Sequence, residues 1–178
     1  SYGGLPVIDA TYLTMDKILL AMGDGSYSDG LHSFDLNTHQ FEVIEWLYTP
    51  TFLYYDQMNS TFWAAAGWGG VMKSGDGFNW VDVPYFDGRI CSSMDTWGNH
   101  VAIAETHNDY MVHYSDDGGN TWNISADTEL IRNLCFDGWG NLCGIFPGTS
   151  YSSGLYKSTD FGATWELLLY SPQLKNLG

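Results

Sequence analysis

Short apolar runs of three to six residues follow one another along the chain, separated by Gly, Asp, Asn and Ser. The first four runs are at 11–14, 18–22, 31–34 and 41–46, and the same order of four recurs three more times up to residue 169. Runs of this length between turn residues predict β-strands joined by hairpins. No segment has a helical hydrophobic period. The pattern therefore predicts four consecutive four-stranded antiparallel meanders.

A short polar phrase precedes the last strand of each predicted meander. Residues 115–122 and 158–165 both fit S-x-D-x-G-x-T-W, residues 74–80 are one residue shorter, and residues 33–41 are a degenerate copy. The four serines are 41, 41 and 43 residues apart. A second turn motif recurs at about the same interval as the serines, with aspartates at positions 16, 56, 95 and 137. Four-stranded units of about 40 to 45 residues are typical of propeller blades, so we predict a small all-β β-propeller.

The four copies of the repeated unit make four the first choice for the number of blades. We predict one domain over residues 1–178, with blades near 9–47, 50–84, 89–125 and 130–170. The last eight residues, 171–178, either close the ring or begin a further blade, because their sequence repeats the start of an innermost strand. A partial propeller completed by another chain, or a fragment of a longer protein, is the alternative.

The repeated phrase resembles the Asp box, the bacterial neuraminidase repeat, and the four copies span essentially the whole chain. In that family the box forms the turn between the third and fourth strands of a blade. An Asp in such a turn accepts backbone N–H groups, Gly takes positive φ, and Trp packs as a large apolar plug. We therefore expect a structural role for the box residues. They are Ser33, Asp35, Ser74, Asp76, Trp80, Ser115, Asp117, Gly119, Trp122, Ser158, Asp160, Gly162 and Trp165.

The charge balance restricts the classes of partner. Asp and Glu number 21 against six Lys and Arg, which gives a formal net charge of -15. Such a chain lacks the basic surface that nucleic acids and anionic membranes require. No apolar run is long enough to insert into a membrane. A neutral or cationic ligand fits the charge, and so does an acidic surface that serves only solubility.

The resemblance raises the question of enzymatic activity. Sialidases, as the resemblance implies, hold the substrate carboxylate with three arginines, and this chain has only Arg89 and Arg132. We therefore exclude sialidase activity for this chain alone. Asp-box enzymes that cut neutral glucans use two carboxylates, so a fragment of such a glycoside hydrolase stays an alternative. His32 and His113 are assigned to equivalent packing positions beside the box. We expect no enzymatic activity.

Cofactors are not expected. The loop at 24–30 places oxygen-bearing side chains at alternate positions, as calcium loops do, but an ordinary polar loop is preferred. Calcium at Asp24 and Asp29 stays the alternative. The three cysteines are too few for a disulfide framework. Cys135 and Cys143 flank the turn at 137–141 symmetrically, and two buried free thiols are preferred over a disulfide.

The loops that vary between repeats are the best place for a ligand. The connections between second and third strands share one face with the interblade connections, opposite the box turns. Variable loops on a repeated scaffold are where binding residues concentrate. Trp68, between glycines, suits stacking on a neutral sugar ring, although it could instead cap the channel of the ring. The candidate ligand-binding residues are Tyr27, Trp68, Tyr85, Arg89, His107, Asn108, Asp109 and Tyr151.

These observations favour a binding protein rather than an enzyme. The predicted function is recognition of a neutral glycan or a protein surface through the variable-loop face. The alternative is a structural or adhesin subunit of a larger extracellular or virion assembly, in which the chain forms an oligomer. Either function implies a location outside the cell or on the surface of a particle.

Overall fold

The secondary structure is almost entirely β-strand, as the sequence pattern predicts. The structure is a computed structural model, and it describes residues 5–24, 29–107, 110–126, 131, 133–146 and 154–170. Its strands are β1 Val7–Thr14, β2 Lys17–Met22, β3 Gly30–Asp35, β4 Phe41–Trp46, β5 Pro50–Asp56, β6 Thr61–Ala66, β7 Gly70–Ser74, β8 Val81–Asp82, β9 Cys91–Trp97, β10 His100–Glu105, β11 Val112–Ser115, β12 Asn123–Ile124, β13 Asn133–Phe136, β14 Leu142–Phe146, β15 Gly154–Ser158 and β16 Glu166–Tyr170.

The strands form four antiparallel four-stranded sheets, each with its strands in chain order. This confirms the predicted all-β class and the four meanders. Strand bounds differ from the prediction mainly at the ends of the meanders. Strand β1 begins at Val7, four residues earlier than expected, while β8 and β12 have only two residues each. The predicted further strand start at 171–178 lies outside the described residues.

The chain divides into two compact units, Ser1–Cys91 and Ser92–Gly178. In the first unit the two sheets share one apolar cluster, against which Trp80 packs, and its buried members are Leu19, Ala21, Leu31, Leu47, Leu53, Phe62, Ala64 and Ala66. In the second unit Trp165 packs against a cluster of Ala102, Ala104, Val112, Ile131, Leu134 and Leu142. Each cluster draws residues from both sheets of its unit, so burial of apolar surface holds those two sheets together.

Hydrogen bonds also join the first strands of the two sheets within each unit. In the first unit the Asp9 carboxylate accepts the Leu53 N–H at 3.0 Å. In the second, the Asp95 carboxylate accepts the Phe136 N–H at 2.6 Å. The donor lies 44 residues beyond the acceptor in one case and 41 in the other. These side chains satisfy backbone donors that have no ladder partner at the edge of a sheet.

The repeated phrase forms the turn between the third and fourth strands of each sheet. In the copy that starts at Ser115, the serine Oγ donates to Asp117 at 2.8 Å and accepts the Gly119 N–H at 2.9 Å. The same carboxylate accepts the N–H groups of Asn120 and Thr121, both at 2.9 Å. Gly119 has a φ of 79°, a conformation that costs glycine little. The aspartate is thus the acceptor around which the turn is built.

In two copies of the phrase the tryptophan at its end folds back onto the same turn. The Trp80 indole N–H donates to the Gly77 carbonyl at 3.0 Å, and the Trp165 indole N–H donates to the Gly162 carbonyl at 3.2 Å. Each indole then packs its apolar surface on the cluster of its unit. One residue therefore closes the turn and fills the space between two sheets.

Protonation of the turn aspartates is expected to weaken the fold in acid. The hydrogen bond from the Thr121 backbone holds the pKa of Asp117 well below its ordinary value, and the Asn79 backbone does the same for Asp76. A lowered folded-state pKa stabilises the protein above the unfolded-state pKa of about 3.9, and that contribution is lost as pH falls further. Thermal unfolding between about pH 7 and pH 2 should show a midpoint that drops below about pH 4. A double variant D76N/D117N should show a shallower drop, and an unchanged slope would contradict this origin.

The cysteines correct one interpretation from the sequence. Cys135 and Cys143 are cross-strand partners on β13 and β14, as their symmetry about the turn suggested. Both are free thiols, but Cys135 is exposed and Cys143 half-buried, so the interpretation as two buried thiols is wrong. Cys135 is exposed because it lies on the solvent-facing side of its sheet, where Asn133 of β13 is also exposed. Only Cys91 is buried among the three.

Candidate functional site

Trp68 lies at the tip of the turn between β6 and β7, and 56% of its surface is exposed. The start of this turn is anchored by Gly67, whose N–H donates to the Thr49 carbonyl at 2.8 Å. The Thr49 N–H in turn donates to the Asp29 carboxylate at 3.2 Å. A buried carboxylate thus supports the backbone that carries the exposed indole.

The end of the same turn packs against a short 3-10 helix, Pro84–Phe86, which the sequence pattern did not predict. Gly70 has a φ of 74°, and a Cβ there would lie 2.4 Å from the Phe86 carbonyl oxygen. Only glycine allows this approach. The backbone of the turn that carries Trp68 is therefore constrained at both ends.

Tyr85 and Arg89 lie on this helix and just after it. The Arg89 guanidinium lies 5.6 Å from the centroid of the Tyr85 ring, within cation–π range. The Arg89 N–H donates to the Phe86 carbonyl at 3.0 Å, which fixes the chain after the helix. Both side chains are half-buried. They give this surface one cation in a protein that has few.

A cavity of about 230 Å³ lies between the turn and the helix, and its lining residues are Gly69, Val71, Asp82, Val83, Pro84 and Asp87. This volume lies below the usual range for drug-sized ligands, so the cavity suits one group of a larger ligand. Carboxylates such as Asp82 and Asp87 accept hydrogen bonds from hydroxyl groups. We call the cavity together with Trp68, Tyr85 and Arg89 the Trp68 site.

Of the eight predicted ligand-binding residues, Trp68 and Tyr85 lie on the turn and the helix that border this cavity, and Arg89 follows the helix. His107 is exposed and belongs to the second unit. The other four, Tyr27, Asn108, Asp109 and Tyr151, lie outside the described residues. Asp82 and Asp87, which line the cavity, are not among the predicted site residues. Their only signal in the sequence is position, since Asp82 lies just before the connection between the second and third predicted blades and Asp87 lies within it.

Asp29 has a structural role that the calcium hypothesis did not anticipate. It is 2% exposed, and its second carboxylate oxygen accepts the Asp24 N–H at 3.0 Å. Both oxygens therefore bind backbone amides. Residues 25–28 of this loop lie outside the described residues. Within the described ranges, no group of three or more His, Cys, Asp or Glu is placed to hold a metal ion.

A buried polar pair lies at the corresponding loop of the third sheet. The carboxylate of Glu105, the last residue of β10, lies 3.0 Å from the His113 imidazole, and both side chains are fully buried. The Glu105 N–H also donates to the Met111 carbonyl at 2.9 Å, which closes the loop between β10 and β11. Sequence reasoning did not find this pair, because Glu105 and His113 are eight positions apart on different strands.

The assignment of His32 and His113 to equivalent positions is wrong. His32 is one residue before its box serine and pairs with Leu20, whereas His113 is two residues before its box serine and pairs with Ile103. Successive side chains of a strand point to opposite faces. The two histidines therefore occupy different faces of their sheets, and the edge of the His32 ring meets Trp46 at a centroid distance of 6.5 Å.

Comparison with known proteins identifies the fold class only. No model of a known protein family matches the chain, and no curated protein matches its sequence. Solved structures do match. An ancestral GH74 enzyme has a TM-score of 0.70 and 17% identity over 94% of this chain, which spans 24% of the enzyme. The GH74 xyloglucanase from Xanthomonas campestris has a TM-score of 0.65 and 16% identity over 92% of this chain and 30% of the enzyme.

A third match is YCF48 bound to D1 peptide, with a TM-score of 0.54 and 20% identity over 67% of this chain and 39% of that one. The chain thus spans between about a quarter and two fifths of the length of these three proteins. Identities this low indicate a shared fold and not a shared function. The protein is an all-β protein of the β-propeller class, consistent with four blades. No helix in the described residues is long and apolar enough to cross a membrane.

Proposed function

We propose that this protein is a non-catalytic, Asp-box β-propeller that binds a neutral glycan at the Trp68 site. The observation that carries the proposal is the exposed Trp68 indole on a turn fixed at both ends, beside a cavity lined by Asp82 and Asp87. A fixed aromatic surface loses little conformational entropy on binding. Its flat apolar face suits the C–H face of a sugar ring, while the carboxylates suit the hydroxyl groups.

The charge of the protein favours a neutral sugar over an anionic one. A formal net charge of -15 repels sialylated, sulfated or uronic-acid glycans over long range. Among neutral glycans, xyloglucan is the first probe, because one of the structures with this fold is a xyloglucanase. The proposal claims binding only, so incubation with xyloglucan should release no reducing ends.

Calorimetric titration with xyloglucan oligosaccharides, preceded by a neutral-glycan array, tests this proposal. Replacing Trp68 with alanine should weaken binding at least about tenfold, or ~1.4 kcal/mol, since an aromatic anchor carries much of a binding energy. Trp46→Ala is the matched control, because Trp46 has a similar exposure of 58% but lies outside the Trp68 site. Equal losses in both variants, or no binding to any neutral glycan, would overturn the proposal. Release of reducing ends would support the glycosidase alternative.

A second candidate function is assembly with protein, and the last strand favours it. All five residues of β16 are exposed, including the consecutive Leu167, Leu168 and Leu169. An exposed apolar edge strand can pair with another chain. YCF48, which has this fold, is seen with a bound peptide. We propose on this basis an adhesin or particle subunit located outside the cell, and light scattering that finds only monomer at about 100 μM would count against it.

A further inference from the structure

Cys135 and Cys143 face each other on neighbouring strands of the fourth sheet. The hairpin between them is closed by the Asp137 N–H, which donates to the Asn141 carbonyl at 2.8 Å. Backbone hydrogen-bonded and non-hydrogen-bonded pairs alternate along an antiparallel ladder. Cys135 and Cys143 lie two positions along the ladder from the hydrogen-bonded pair of Asp137 and Asn141, so they are also a hydrogen-bonded pair. Their Cα atoms are then about 5.5 Å apart. This separation lies within the range of disulfides.

The two thiols differ in access and in their neighbours. Cys135 is exposed and Cys143 is half-buried. On its other side, Cys143 pairs with Lys157 on β15, and Lys157 pairs with Glu166 on β16. One row across the sheet thus holds two thiols, an ammonium group and a carboxylate. The inner thiol lies next to the cation, and the outer thiol faces solvent.

We propose that Cys135 and Cys143 are a modification site, at which a low-molecular-weight disulfide oxidises the two thiols to an intrachain cross-strand disulfide. Exposure decides the order of reaction, so Cys135 reacts first and Cys143 resolves. Cys91 takes no part, because it is buried. The product would join β13 to β14 covalently at the hairpin.

The chemistry balances with oxidised glutathione as the named oxidant. Cys135 loses its proton to solvent, and its thiolate attacks one glutathione sulfur, which releases one glutathione thiolate and leaves a mixed disulfide. The Cys143 thiolate then attacks Sγ of Cys135 and releases the second glutathione. Two protein thiols are oxidised and one glutathione disulfide is reduced to two thiols. The nearby Lys157 ammonium stabilises the attacking Cys143 thiolate.

Mass spectrometry of the 178-residue chain with oxidised glutathione tests the proposal. The unmodified sequence should lose two hydrogen atoms and keep no adduct, and a C91S variant should behave identically. C143S should instead accumulate one glutathione adduct at Cys135, and C135S should react much more slowly. A stable glutathione adduct at Cys135 of the unmodified protein would overturn the proposal. So would an unmodified protein in which both thiols stay free under conditions that convert C143S to its adduct.

The pH dependence of the rate of disulfide formation is a second test, because an effect of the substitutions on folding would not produce it. Partial burial raises the pKa of both thiols, the charges of Cys143, Asp95 and Asp137 raise that of Cys135 further, and Lys157 partly opposes the rise at Cys143. Because the thiolate reacts, the rate of disulfide formation should increase about tenfold per pH unit around pH 7. Lys157→Met should lengthen the life of the Cys135 adduct without changing the rate at which it forms. An unchanged adduct lifetime in K157M would remove Lys157 from the proposed mechanism.

Discussion

Replacing Glu105 with alanine is expected to lower the free energy of unfolding by about 3–5 kcal/mol. The Glu105 carboxylate lies 3.0 Å from the His113 imidazole, and neither side chain is exposed. Truncating Glu105 leaves the buried His113 ring without the carboxylate as a hydrogen-bond acceptor, and it also leaves a cavity at the end of β10. Urea denaturation followed by circular dichroism measures the change, with the slope m compared between variants to check that the transition stays two-state.

The control for this prediction replaces both members of the pair. Exchanging a buried, hydrogen-bonded polar pair for well-packed apolar residues is often neutral or stabilising, so Glu105→Leu with His113→Leu should recover most of the loss. A double-mutant cycle that adds the single variants Glu105→Leu and His113→Leu then isolates the coupling between the two side chains. A Glu105→Ala variant within about 1 kcal/mol of the unmodified protein would show that the pair does not hold this loop.

The sheets could be predicted because their signal is local and repeated. Apolar runs, turn residues and the period of the box serines all follow from a short stretch of chain, and four copies reinforce one another. The turn chemistry was equally accessible, since Asp117 binds donors only three and four residues ahead. Interactions over so few residues can be predicted directly from the local sequence.

The contacts that join repeats could not be predicted in the same way. Asp9 binds a backbone amide 44 residues away, and no feature of its immediate sequence distinguishes it from a surface aspartate. Asp29 shows the same difficulty, because its alternating polar neighbours predict an ordinary polar loop, with calcium as the alternative, while its buried carboxylate binds two backbone amides. Carboxylates such as those of Asp9 and Asp29, unlike the turn aspartates, acquire their roles from tertiary geometry.

The histidine error has a specific physical cause. Residues at a similar distance from the box serine are not equivalent, because a strand alternates its faces at every residue. The difference of one position between His32 and His113 therefore moved the ring to the opposite face of the sheet. An odd or even number of residues before the serine, rather than the approximate distance from it, distinguishes His32 from His113. This criterion would also have drawn attention to His113 as a buried polar group.

The scaffold and the Trp68 site use tryptophan in opposite ways. Trp80 and Trp165 are drawn inward by hydrogen bonds from their indole N–H groups to box glycine carbonyls. Trp68 lies on a turn whose backbone is anchored through the Gly67 N–H, while its ring stays exposed. The same residue type thus stabilises the sheets in one place and is available to a ligand in the other, and variants of the two classes should separate stability from binding.

Replacing Trp165 with alanine should lower the free energy of unfolding by about 3 kcal/mol, the lower end for such truncations because the indole is only half-buried. Its ring packs on the apolar cluster of the second unit and lies so close to β14 that a Cβ on Gly144 would be 3.2 Å away. Trp139 in the same unit is the matched control, since it is 85% exposed. Trp139→Ala should change stability by less than about 0.5 kcal/mol in the same urea titration. Equal losses would mean that the box tryptophan does not hold the two sheets of its unit together.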